Sequence, residues 1–266
     1  MHTMKKTILA LCAATVGLTS TIAQPADLQD FPAASVDNVI VPVPSEVFIV
    51  LDKLGSPNWR GQLRDSVGKN TGNRAQVALL LGTVIADGFI AVQAQDAERV
   101  KEIGRDVLNL ASAINVRDAV ITRSKSIVDK AEKRNWSEVR REFDGALQDV
   151  KGAMRELDDE DLAQLVSLGG WIRGTQVLTS LIGQEFRQDK AELLHQPILV
   201  SFFSRRLDSM PKKLQKDPLV VQIRKTLPKI SPLLGTEDGT KISQDDVKKI
   251  NQLSSELVMA ISQQNR

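Results

Sequence analysis

Carboxylates have the best claim to chemistry in this chain, and Asp87 has the most unusual surroundings. It lies within AQVALLLGTVIADGFIAVQA, residues 75–94, beside Ile85, Ala86, Phe89 and Ile90. A carboxylate among such neighbours needs a cation or several hydrogen bonds to stay charged. Gln76, Thr83 and Asp87 are spaced i, i+7 and i+11, so a helix places all three on one face. A second polar seam runs through LAQLVSLGGWIRGTQVLTSLIGQEF, residues 162–186, as Arg173 and then Gln176, Ser180 and Gln184. Asp87 and Arg173 are the only strong charges midway along the two stretches. We expect them to pair across a helix crossing, with Gln76, Thr83, Gln176 and Ser180 satisfying the remaining hydrogen bonds. Such a group is either a buried ion pair that fixes helix register or the polar lining of a small-ligand pocket between helices.

As an acid or base, Asp87 would need a second carboxylate within about 10 Å, the range of glycoside-cleaving pairs. Glu185 or one of Asp158, Asp159, Glu160 and Asp161 is the candidate. Neutralisation by Arg173 and the scarcity of aromatics, with three Trp and no Tyr, argue against this use, and no catalytic residue is assigned. The 158–161 acids open an apolar stretch, where they complement the positive end of a helix dipole better than they form a metal site. Glu237, Asp238 and Gly239 do not have the spacing of a calcium loop. Beyond the first 23 residues there is one histidine, His195, and no cysteine, so neither the common zinc sets nor a Cys-His pair can be built. No serine sits in a Gly-x-Ser-x-Gly turn, and no phosphate-binding loop occurs. No cofactor or metal is expected.

The elements that must position these residues read as helices. Residues 1–23 resemble a secretory leader: Lys5 and Lys6, an apolar run, then Thr21-Ile22-Ala23 as the cleavage site. Cys12 follows Leu11 and falls too early in the run for a lipoprotein site. The leader takes two lysines from a chain of 35 basic and 33 acidic residues, leaving a balance of zero. No global field then favours nucleic acid or an anionic membrane. Four prolines keep 24–44 extended, with Asn38 to Val41 as a short strand-like strap. A helix follows from Ser45, its buried stripe Val47, Leu51 and Leu54, with Gly55 ending it.

The apolar stretches near 75–94 and 160–185 predict two central helices buried on all sides. The small residues Ala78, Gly82 and Ala86, and the Gly170–Gly174 step, predict a close crossing. Between them, three- and four-residue spacing predicts amphipathic helices from about 97, 117 and 137. Pro197 is expected to break the segment 191–210, and Asp217-Pro218 to start a short helix. Pro228, Pro232 and Gly235 predict an irregular crossing, and Ser243 with Asp246 a capping box for the last helix.

The fold class expected is all-α: an antiparallel array of about nine helices in one domain, 45–266, with 186–196 the place where it could divide. A membrane span is not expected after leader removal, since Asp87 and Arg173 sit mid-stretch, where a charge costs at least ~2.5 kcal/mol. The function expected is an exported, periplasmic or secreted, non-enzymatic protein that binds an envelope ligand or protein or serves a structural role, without nucleic acid. The alternative is a carboxylate-dependent hydrolase acting on envelope material through Asp87.

Overall fold

The structure, a computed structural model, describes residues 34–36, 39–41, 44–67, 73–235 and 240–263. The expected leader, most of the extended segment 24–44 and the Glu237-Asp238-Gly239 run lie outside them.

Helix α1 (Pro44–Lys53) follows two three-residue strands, β1 (Ala34–Val36) and β2 (Val39–Val41), paired antiparallel with Ser35 opposite Ile40. Everything else regular among the described residues is helical. The fold is all-α, and among the described residues nine helices are longer than one turn. These are α1, α2 (Arg74–Gln93), α3 (Ala97–Ala113), α4 (Arg117–Glu132), α5 (Trp136–Glu156), α6 (Glu160–Gln184), α8 (Pro197–Ser209), α10 (Pro218–Ile230) and α11 (Gln244–Ser262). The single-turn helices α7 (Gln188–Ala191) and α9 (Lys212–Gln215) lie between the later ones.

Helices α2 and α6 form the centre, and α11 packs on α6 beside them. From Ala75 to Val92, only Ile85 and Ala86 of α2 escape full burial. The crossing is made backbone to backbone. A Cβ on Gly82 would stand 1.9 Å from the Val166 carbonyl oxygen, and one on Gly169 would stand 2.0 Å from that of Leu79. This corrects the glycine step read from sequence: Gly169 and Gly170 face α2, whereas a Cβ on Gly174 would meet nothing within 4 Å. An aromatic cluster of Phe48, Phe89 and Phe143, with centroids 4.7 to 5.7 Å apart, joins α1, α2 and α5. Phe48, not Val47, therefore joins Leu51 and Leu54 in the buried stripe.

Helices α2 to α6 run up and down through four turns of one kind. In each, a non-glycine residue takes a left-handed φ: Gln95 (51°), Asn115 (65°), Arg134 (57°) and Asp158 (51°). The next amide donates five residues back, Asp96 to Ala91, Val116 to Ala111, Asn135 to Lys130 and Asp159 to Met154. This six-to-one bond satisfies a carbonyl that the helix end leaves unpaired, the Schellman closure. Each turn is so short that the next helix must return alongside the last.

Near the C-terminus, Pro197 starts α8 at its first turn, where a missing N–H costs nothing, and Asp217 caps α10 through the amides of Leu219 and Val220. Pro228 corrects the expected irregular crossing, because α10 continues through it to Ile230. Only its last turn follows the proline, so one helical bond is lost while Leu227 and Ile230 remain buried. The capping box at Ser243 and Asp246 forms. The described residues cluster as one compact unit.

Candidate functional site

The first polar seam begins where α2 is capped. Asn73 accepts from the Gln76 amide at 3.0 Å, fixing the start of the helix one turn before the core. Three turns on, Asp87 is 4% exposed and both its oxygens are engaged. Arg173 Nε donates to Oδ1 at 2.8 Å, as the charge pairing predicted. Arg64 donates to Oδ2 from Nε at 3.0 Å and again from Nη2. The carboxylate is thus clamped between two guanidinium groups, and Arg64 is the partner sequence reasoning missed. It belongs to LRDSV, residues 63–67, which form neither helix nor strand and show no periodicity, and no spacing rule ties such a residue to a helix face.

The remaining donors of both arginines are spent on neighbouring elements. Arg64 Nη2 also donates to Thr83 Oγ1 at 3.1 Å, and its Nη1 to Ser262 Oγ of α11 at 3.2 Å. Arg173 Nη1 donates to Gln176 Oε1 at 2.7 Å, and Nη2 to the Gln62 carbonyl. Gln176 Nε2 donates on to Ser255 Oγ at 3.1 Å. Asn251 of α11 donates to the Gln176 carbonyl and to Thr179 Oγ1, each at 3.0 Å. Gln76 Nε2 reaches the Ile261 and Gln263 carbonyls at the end of α11. Four segments are tied together: the loop after α1, then α2, α6 and α11.

Of the six residues singled out from sequence, Asp87, Arg173, Thr83 and Gln176 meet in one network. Gln76 lies three turns away, about 16 Å along α2, and holds the tail of α11 instead. Ser180 stands apart from these bonds; its neighbour Thr179 takes the expected place. The α11 members, Asn251, Ser255 and Ser262, recur at i, i+4 and i+11, a polar face readable in the sequence.

Two arginines against one aspartate leave an excess positive charge. Burial pulls the Arg173 guanidinium below its usual value and Asp87 pushes it back up. Free guanidinium titrates so high that Arg173 stays protonated. Through Ser262, Arg64 reaches the C-terminal end of α11, the negative end of that helix's dipole.

As a hydrolytic pair the arrangement fails on distance. Arg74, at the start of α2, binds Asp159 at 2.7 Å, and Asp87 lies 13 residues further, about 20 Å along the helix. Glu185 is 12 residues beyond Arg173 on α6, about 18 Å, and its side chain is exposed beside Lys190. Of the acids at 158–161, Glu160 and Asp161 stand in the first turn of α6, where the helix dipole favours them as expected, and the other two are placed differently. Asp158 takes the left-handed turn position, and Asp159 makes no side-chain cap bond because its carboxylate goes to Arg74. Burial raises Asp161 above the usual carboxylate range, against the opposing pull of Arg206.

Other charged groups are structural in their contacts. Glu142 accepts from Lys130, Arg123 and Ser126, and the Lys130 bond leads in holding its carboxyl down to about 2. Asp106, 6% exposed, accepts from Ser66 Oγ at 2.8 Å to each oxygen, under an open groove of about 520 Å³ shared with Arg99, Glu102, Arg105 and Asn109. His195 Nδ1 lies 3.1 Å from the Leu234 carbonyl and ties the segment after α7 to that before α11. Among the described residues no group of three or more His, Cys, Asp or Glu could hold a metal ion. Among the described residues helix α2 alone is long and apolar enough to cross a membrane, and 89% of its apolar window is buried inside the fold. The chain matches no protein-family model, no curated protein and no solved structure.

Proposed function

We propose that this chain is an exported, non-enzymatic helical protein with a binding or structural role in the cell envelope. The observation that carries the reading is the state of Asp87, the one carboxylate whose setting suggested chemistry. Both its oxygens are held by guanidinium groups, and the acids proposed to join it lie about 18–20 Å away along their helices. A general acid or base must reach its substrate and exchange a proton. A carboxylate clamped at 4% exposure does neither, and what it does is fix the register of α2 against α6 and the preceding loop. Export is supported by the sequence of residues 1–23, a basic start, an apolar run and a small-x-small site.

The test is to incubate the purified mature protein with envelope extract of its host and follow every component by mass spectrometry. Retention of a component without turnover is expected. Turnover that vanishes in Asp87→Asn would return the protein to the hydrolases. Native mass spectrometry of protein taken from the host then identifies what is retained.

A further inference from the structure

Charge is segregated along this nearly neutral chain. Residues 197–235 carry eight Lys or Arg and two Asp, leaving 27 basic against 31 acidic residues for everything else. The two acids are already engaged: Asp208 with Arg224 of α10, and Asp217 with the first amides of α10 and with Asn73. Arg206 lies towards Asp161. Arg205, Lys212, Lys213, Lys216, Lys225 and Lys229 remain, all exposed and none paired with a carboxylate among the described residues. The next acids along the chain, Glu237 and Asp238, lie outside those residues.

These six stand on adjoining elements. The outer face of α8 carries Ile198, Ser201, Arg205 and Asp208, and that of α10 carries Gln222, Lys225 and Lys229. The Asp208–Arg224 pair joins one face to the other. Helix α9, with Lys212 and Lys213, is held at the end of α8 by Gln215, whose amide donates to the Asp208 and Met210 carbonyls. Beneath the charges lies core: Phe202, Phe203, Leu207, Ile223 and Leu227 are buried.

We propose that the outer face of α8, α9 and α10 is a docking surface for an anionic phospholipid bilayer. Five of the six cations are lysine, a point charge suited to a diffuse layer of phosphates and not to the bidentate recognition that arginine supplies. The two aromatic residues of the region, Phe202 and Phe203, are each 2% exposed, so no ring is offered for stacking on a base. Ile198, 59% exposed on the same face as Arg205, supplies an apolar side chain to the headgroup layer. The surface depends neither on Asp87 nor on export.

The test is co-sedimentation of the full mature protein with vesicles of phosphatidylglycerol and phosphatidylethanolamine, against phosphatidylcholine vesicles, at low and raised salt. Each basic residue near an anionic surface strengthens binding about fivefold, so the triple variant Lys212→Gln, Lys213→Gln, Lys216→Gln should bind about a hundredfold more weakly. These lysines are exposed, and their replacement leaves the core untouched. The matching triple Lys53→Gln, Lys125→Gln, Lys133→Gln should bind as wild type, and salt should weaken wild-type binding. Equal binding to both vesicle types, equal loss in both triples, or tighter binding to a DNA duplex or an anionic polysaccharide would overturn the proposal.

Discussion

Replacing Gly82 with alanine puts the central crossing to a direct test. The added methyl would lie 1.9 Å from the Val166 oxygen and 2.7 Å from the Gly170 nitrogen, both backbone, so no rotamer change relieves it. Restoring ordinary contact requires α2 and α6 to separate by about 1.5 Å. Leu79, Leu165, Leu168 and Ile172 are at most 1% exposed around this crossing. A gap of that kind forfeits a quarter or more of the contact of each, about 0.5 kcal/mol per side chain and about 2 kcal/mol together. The 2.8 Å bond between Arg173 and Asp87 spans the same two helices, and stretching it adds about 1–3 kcal/mol. Against this, alanine is the better helix former by about 0.5–1 kcal/mol. The expected net loss is about 3 kcal/mol, with Gly169→Ala similar because its obstacle, the Leu79 carbonyl, is also backbone. Gly174→Ala is the internal control: its Cβ meets nothing within 4 Å, so the propensity gain of about 0.5–1 kcal/mol should appear undiminished. Urea unfolding followed by helical circular dichroism measures all three. If Gly82→Ala unfolds within about 1 kcal/mol of wild type, or Gly174→Ala falls as far as Gly82→Ala, the backbone crossing is wrong.

The clamp on Asp87 predicts an order of sensitivity. Asp87→Ala and Arg173→Ala should each cost about 3–5 kcal/mol, and Arg64→Ala less, because its side chain is 22% exposed and leaves Asp87 paired with Arg173. The double change Asp87→Leu with Arg173→Met should recover much of the loss, and a double mutant as unstable as the sum of the singles would remove the coupling between them. The Glu142 carboxyl, held down to about 2 from 4.5, gives stability that is complete above pH 4.5 and lost as pH falls through 2. The advantage of wild type over Glu142→Gln in urea midpoint should shrink across that window, and an advantage unchanged at pH 2 would contradict the ion pairing. Arg134→Gly, at a left-handed turn position with φ 57°, should stabilise by about 0.5–1 kcal/mol, read as a rise in melting temperature; a fall would mean the Arg134 side chain holds the turn.

The helical class and its core were legible because burial imposes a period. Val247, Ile250, Leu253, Leu257 and Ile261 had to share one face of α11, and all five are buried. The run 75–94 had to be central, since an all-apolar helix has no wet side. Caps that depend on side-chain chemistry, at Asp217 and Ser243, were legible for the same local reason. The turns after α2, α3, α4 and α5 were visible only as gaps in the pattern. Their left-handed residues are Gln, Asn, Arg and Asp, none of them the glycine that usually marks such a position.

The pairing of Asp87 with Arg173 followed from elimination, because two lone charges in apolar helices have few alternatives. Arg64 could not be found that way. Its contact joins residues 23 apart through a loop, and its bond to Ser262 spans 198 positions. Likewise, the choice of Gly169 over Gly174, and of Thr179 over Ser180, depends on a rotation about the α6 axis that no hydrophobic period specifies. Sequence by itself determined which faces must be hidden, since that is a property of each helix alone. Tertiary structure alone decided which hidden atoms touch, because contact is set jointly by the approach and rotation of two helices.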